Sequence, residues 1–143
     1  DPRLGREFLF GGADNEIWSF GPEVEARLVA CLELRERLRP YLAEQMKNAA
    51  ETGLPPMRPL LLEFPDDPAA WDVENQFMLG PDLLVAPVLE AGATARSLYL
   101  PAGATWREAW EGTVHEGGQR VTADAPITRI PVFQRASSAL RLT

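Results

Sequence analysis

Apolar positions fall into two textures along this chain. From Pro22 to Thr52 they recur at helical spacing, with Val24, Leu28, Cys31, Leu32, Leu38, Leu42, Met46 and Ala49 close to one stripe. Pro22 suits a first helical position, and Glu23 and Glu25 favour the positive end of the helix dipole. Gly53 followed by Pro55-Pro56 makes a strong stop. The spacing predicts a helix over about 22–52. Pro40 lies inside it, removing one backbone donor and crowding the preceding turn, so a kink or break is expected near Arg37–Arg39.

From Leu60 onward the apolar runs become short. Leu60–Phe64, Phe77–Leu79, Leu83–Val88, Ser97–Leu100, Thr105–Trp106, Gln119–Thr122, Ile127–Phe133 and Ala139–Leu142 read as strands. Gly80-Pro81-Asp82, Glu90-Ala91-Gly92, Pro101-Ala102-Gly103, Glu111-Gly112 and Glu116-Gly117-Gly118 read as the turns between them. Many short strands at this spacing predict an antiparallel sandwich or barrel. The fold class is α+β, with a boundary near residue 76 between a helical part (1–75) and a β part (76–143). Residues 1–21 read as an irregular segment made unusually apolar by Phe8, Phe10, Ile17, Trp18 and Phe20, which calls for a surface to lie against.

Charge narrows the partners. A net charge of −7 without a basic cluster argues against nucleic acid and against an anionic membrane surface. No run approaches the roughly 20 apolar residues that span a bilayer. Cys31 is the only cysteine, so no intrachain disulfide forms, which leans toward a reducing, cytoplasmic setting. The opening Asp1-Pro2-Arg3 has no initiator methionine or signal-peptide pattern and reads as the interior of a longer chain.

Candidate chemistry is sparse. One histidine and one cysteine do not supply the nitrogen and sulfur ligands of a zinc site, and Asp66-Asp67 between prolines reads as turn capping. No metal or organic cofactor is expected. There is no G-x-S-x-G elbow, and His115, beside Gly117-Gly118, reads as an exposed loop residue. Neither a P-loop nor a G-x-G-x-x-G turn occurs. Among carboxylates, Asp14 and Glu16 share one Gly-rich segment and Glu63 lies on an expected strand. Nothing in the sequence sets one of them in an apolar environment fit for an acid catalyst. Four tryptophans, Trp18, Trp71, Trp106 and Trp110, are stacking surfaces for sugar rings or, more ordinarily, core and interface residues.

An ordered series of motifs adds to this reading. Leu34-Arg35-Glu36-Arg37-Leu38-Arg39-Pro40-Tyr41 is followed by Arg58-Pro59-Leu60-Leu61-Leu62-Glu63-Phe64-Pro65-Asp66-Asp67. Then come Gln76-Phe77-Met78-Leu79-Gly80, Leu83-Leu84-Val85-Ala86-Pro87-Val88, Tyr99-Leu100-Pro101 with Trp106, and Ile130-Pro131-Val132-Phe133-Gln134-Arg135. In residues and spacing the series resembles the C-terminal portion of glycoside hydrolase family 31, which holds α-glucosidases and α-xylosidases.

The resemblance implies that the long helix is the last helix of a (β/α)8 barrel and that the β region is the proximal C-terminal β-sandwich. It implies a retaining parent enzyme acting on O-glycosyl bonds of α-glycosides and oligosaccharides. The catalytic Asp pair of such an enzyme lies on earlier barrel strands and matches no motif here. No catalytic residue is therefore expected in this chain. Phe10, Asp14, Glu16 and Trp18 are its candidate substrate contacts. Aligned on Gly11 and on Glu16 to Trp18, Phe8-Leu9-Phe10 stands where the family has Arg-x-His. A phenylalanine cannot hydrogen-bond a sugar hydroxyl, so the pocket, the register or the mode of binding differs at this end.

Three functional expectations follow. The first is an inactive structural and accessory part of an α-glycosidase, braced against the missing barrel of the parent. The second is a free-standing carbohydrate-binding module using Trp106 and Trp110. The third is a self-associating domain whose helix stripe and Phe8–Phe20 segment pair with further copies, forming a homo-oligomer.

Overall fold

A computed structural model describes residues 16–142. The chain divides into two compact units between Arg37 and Leu38. In chain order the elements are a 3₁₀ turn (Ile17–Phe20), α1 (Pro22–Thr52), β1 (Met57–Arg58), α2 (Leu60–Glu63), α3 (Pro68–Trp71) and β2 (Phe77–Leu79). They continue with β3 (Leu83–Val85), β4 (Ala95–Leu100), β5 (Thr105–Glu108), β6 (Val114–Glu116), β7 (Gln119–Asp124) and β8 (Val132–Arg135).

The long helix starts at Pro22 and ends where the sequence predicts. Gly53 takes the left-handed conformation (φ 78°) and returns its N–H to the Ala49 carbonyl at 2.9 Å, satisfying one of the last orphan acceptors. The helix is not broken near Arg37–Arg39: α1 runs on through Pro40. One missing donor interrupts a single rung, and the other rungs hold the turn together. Within α1 only Leu38, Tyr41 and Gln45 are buried, and Val24, Val29, Leu32 and Met46 are exposed. Among the described residues no helix is long and apolar enough to cross a membrane.

In the second unit all strand pairs are antiparallel. Six strands form one sheet in the order β1-β2-β3-β8-β5-β6, and β4 and β7 form a second. The α+β reading and the antiparallel sheets agree with expectation. Met78, Leu84, Phe133 and Trp106 from the larger sheet share one core with Leu98, Leu100 and Ala123 from the smaller, joined by Leu60, Phe64, Ala70 and Val73. At roughly 25 cal/mol per Å² of apolar surface removed from water, such side chains supply most of the stabilisation.

Several local expectations are corrected. Leu60–Phe64 is not a strand: Leu60–Glu63 is the one-turn helix α2, entered through Pro59. Leucine and glutamate are good helix formers and the run holds no β-branched residue, so its apolarity alone misled. The strand expected over Leu83–Val88 stops at Val85, just before the Pro87 region. Of Ile127–Phe133 only the end from Val132 is extended, after Pro131, and Ile127 is among the most exposed apolar residues. Ala139–Leu142 forms no strand, although Leu142 is buried. Strand β6 went unpredicted because Val114-His115-Glu116 has no apolar run to mark it. It is recruited by pairing with β5 across the Glu111-Gly112 turn.

Candidate functional site

The polar residues of the motif series converge on a few junctions in the second unit. Arg58 lies on β1, the edge strand of the larger sheet, and its side chain is only 2% exposed. Its Nη1 donates to the Pro55 carbonyl at 3.0 Å and its Nη2 to the Glu63 carboxylate, while its Nε has no partner among the described residues. The other Glu63 oxygen faces Arg135 Nη2 at 3.5 Å. Arg135 in turn donates through Nε to the Pro81 carbonyl at 2.7 Å and stacks its guanidinium over the Phe64 ring at 4.7 Å. Arg58, Glu63 and Arg135 thus tie the first strand, the α2 turn, the β2–β3 turn and the last strand together.

A second junction surrounds Asp67. This residue is the N-cap of α3 and accepts from Ala69 N at 3.1 Å. Its other oxygen accepts from the Tyr99 hydroxyl and from Ala102 N, both at 2.8 Å. Burial pushes its carboxyl up. The hydrogen bonds from Ala102, Tyr99, Ala69 and Ala70 outweigh that and hold it below the ordinary value of 3.8. Tyr99 is pushed up to about 12, by burial first and then by the Asp67 carboxylate, and so stays a donor at neutral pH. Nearby, the Gln76 side chain pairs with the Tyr99 backbone, donating to its carbonyl at 2.8 Å and accepting from its N–H at 2.7 Å. That pairing covers the free edge of β4, which would otherwise present unpaired backbone groups.

The third junction is Tyr41. Its hydroxyl donates to the Leu79 carbonyl at 2.8 Å and accepts from Asp82 N at 3.1 Å, clasping the β2–β3 turn. Gly80 at its centre has φ 62°, and a Cβ there would meet the Tyr41 oxygen at 2.1 Å. The glycine of Q-F-M-L-G is required on both counts. Burial raises Tyr41 to about 12.

The individually predicted residues fare differently. Phe10 and Asp14 lie outside the described residues. Glu16 is exposed ahead of the 3₁₀ turn, and Trp18, within it, is 66% exposed. Trp106 is fully buried, with its indole N–H on the Pro101 carbonyl at 3.0 Å, so it offers no stacking face to a sugar. Trp110 is partly exposed and donates to the Ile130 carbonyl at 2.8 Å. His115 is not a loop residue: it sits half-buried on β6 with its ring edge-on to Phe133 at 5.8 Å. The turn reading of Asp66-Asp67 matches the capping role of Asp67. Glu63 is a strut between two guanidiniums. Tyr41 and Gln76 escaped notice as junction residues, although both stand inside quoted motifs.

The model of the glycosyl hydrolase family 31 C-terminal domain matches residues 53–140, the span containing all three junctions except Tyr41. The chain belongs to glycosyl hydrolase family 31. A family 31 alpha-xylosidase from a soil metagenome, solved with xylose, superposes with a TM-score of 0.87 at 53% identity, over 90% of this chain and 19% of that one. A sulfoquinovosidase of Agrobacterium fabrum is 44% identical over 102 residues, which is 71% of this chain and 15% of that protein. Alpha-glucosidase 2 of Bacillus thermoamyloliquefaciens is 36% identical over 141 residues, 99% of this chain and 18% of that protein. The chain therefore spans less than a fifth of the length of these family 31 relatives.

Proposed function

We propose that this chain is the C-terminal portion of a retaining α-glycosidase, structural and accessory in role, whose parent hydrolyses O-glycosyl bonds of α-glycosides or oligosaccharides. The observation that carries this reading is the match of residues 53–140 to the family's C-terminal domain. The junctions support it: two carboxylates of the motif series, Glu63 and Asp67, are committed to holding the fold. In this reading residues 1–75 close the (β/α)8 barrel, with α1 as its last helix, and residues 76–143 are the proximal β-sandwich. No residue of this chain is catalytic. Phe10, Asp14, Glu16 and Trp18 approach the substrate from the barrel side. The barrel of the parent covers the apolar stripe of α1, and without it copies of the chain associate through Val24, Val29 and Leu32, which are exposed.

The test is hydrolysis of nitrophenyl α-glucoside, α-xyloside and α-galactoside by the 143-residue chain and by a polypeptide extended upstream through a barrel. Turnover by the extended chain alone is expected, and the sugar released names the specificity. Turnover by the pure short chain, abolished by mutation of Glu16 or Glu63, would refute the accessory role.

A further inference from the structure

Trp71 is 57% exposed, although tryptophan carries more apolar surface than any other side chain and is usually well covered. Its indole is nevertheless fixed, because Nε1 donates to the Pro65 carbonyl at 3.1 Å. The backbone beneath it is fixed as well: Ala70 is buried, and the N-cap Asp67 is bound to Tyr99 and Ala102 at the end of β4. The ring is therefore a rigid apolar face held in solvent by its own hydrogen bond. Pro65, which holds the indole, also lines an open pocket of about 350 Å³ together with Asp66, Gly103 and Arg135. That volume falls within the range of small-ligand sites.

The chemistry around this pocket is selective. The Asp66 carboxylate is exposed and accepts hydrogen bonds, and the Arg135 guanidinium is a quarter exposed and donates them. An anion at this place meets Asp66 and Glu63, and a simple cation meets Arg135. A hydrocarbon leaves both charges without water. Trp71 does not itself line the pocket, so an oligosaccharide spans the two places: one ring stacks its C–H face on the indole, and the hydroxyls of another pair with the carboxylate and guanidinium. We propose that Trp71 and the adjoining pocket form a binding surface for a neutral oligosaccharide. The inference rests on the proposed function only in choosing α-linked glucans as the ligand class.

Calorimetric titration of the 143-residue chain with maltoheptaose and isomaltotriose tests it, with cellohexaose as the β-linked comparison. Saturable binding of at least one α-glucan is expected. Trp71→Ala should lower the association constant about ten-fold, as expected for loss of one stacking face. Trp71→Phe should retain a larger share, Asp66→Asn should weaken binding by a smaller factor, and Trp110→Ala should leave it unchanged. Circular dichroism on Trp71→Ala checks that the exposed substitution leaves the fold intact. Absence of saturable binding, binding of cellohexaose alone, or equal affinity in Trp71→Ala would each overturn the proposal. The nitrophenyl assay of the extended chain reads the parent function independently. Turnover there without oligosaccharide binding here removes this surface and leaves the glycosidase reading standing, and the reverse pattern does the opposite.

Discussion

Leu32 and Leu84 are the same side chain in opposite circumstances. Leu32 lies on the apolar stripe of α1 and is 44% exposed, with Val24 and Val29 exposed on the same stretch of helix. Leu84 lies at the centre of the six-stranded sheet, opposite Phe133, and is fully buried. The first unit thus holds the stretch of α1 on which Val24, Val29 and Leu32 are exposed. The second supplies a core between two sheets with its polar junctions largely satisfied. The contrast teaches that a strong periodic pattern predicts a helix well, yet says nothing about whether the surface that the pattern serves lies in the same chain. Helices gain most of their stability from that buried face.

The contrast is tested most severely at Trp106, which packs against Phe64 with ring centroids 5.7 Å apart. Trp106→Ala should cost about 3–5 kcal/mol of unfolding free energy in urea, the range for deleting a large buried aromatic. A loss below about 1 kcal/mol, the ordinary outcome of a point substitution, would mean that the two sheets do not close on one core.

Next in size is Glu63→Ala. It strands the Arg58 guanidinium in the interior without its counter-charge, a change worth about 3 kcal/mol when one partner of a buried pair is removed. Adding Arg58→Met should restore part of that loss, since it removes the uncompensated charge from the interior. Simple additivity of the two substitutions would show that Arg58 and Glu63 are not energetically coupled.

Asp67→Asn has a smaller effect with a pH signature. Losing charge-assisted bonds to Tyr99 and Ala102 should cost about 1–2 kcal/mol at neutral pH. The carboxyl is held below its ordinary 3.8 in the folded state. Its stabilisation is therefore full above that value and is lost as pH falls through the lower folded value. Urea midpoints of the two proteins should differ by a constant amount at neutral pH and converge in acid. A gap that stays constant through the acid range in which the wild-type carboxyl protonates would assign the stability to some other group.

Much of this was legible beforehand, and the failures have physical causes. Pro22 and Gly53 bounded α1 correctly because both act through local backbone geometry. The family series was legible because its residues are junctions, each needing one particular shape or donor. Gly80 is required by Tyr41, and Arg58 by Glu63. The helical turn at Leu60–Glu63 was not legible, because four apolar and acidic residues carry no period long enough to separate helix from strand. The burial of Trp106 follows the ordinary reading of a tryptophan, but which of the four would be fully buried was not legible. Exposure is decided by the partners that the sheets bring together, Phe64 and Arg135, which lie far from it in sequence.

The smallest effect is the sharpest test of the opening contrast. Leu84→Ala should cost about 2–5 kcal/mol, as a buried leucine does. Leu32→Ala should stay within about 0.5 kcal/mol, because alanine is at least as good a helix former and little apolar cover is lost. Both are read from urea unfolding at several protein concentrations. If Leu32→Ala costs nothing at any concentration, the stripe is bare in this chain and waits for a partner surface. If its cost grows with protein concentration, copies of the chain are covering Leu32, since self-association stabilises the folded state by mass action. If the cost is as large as at Leu84 and independent of concentration, the stripe is buried within the chain itself and the contrast between the two regions fails.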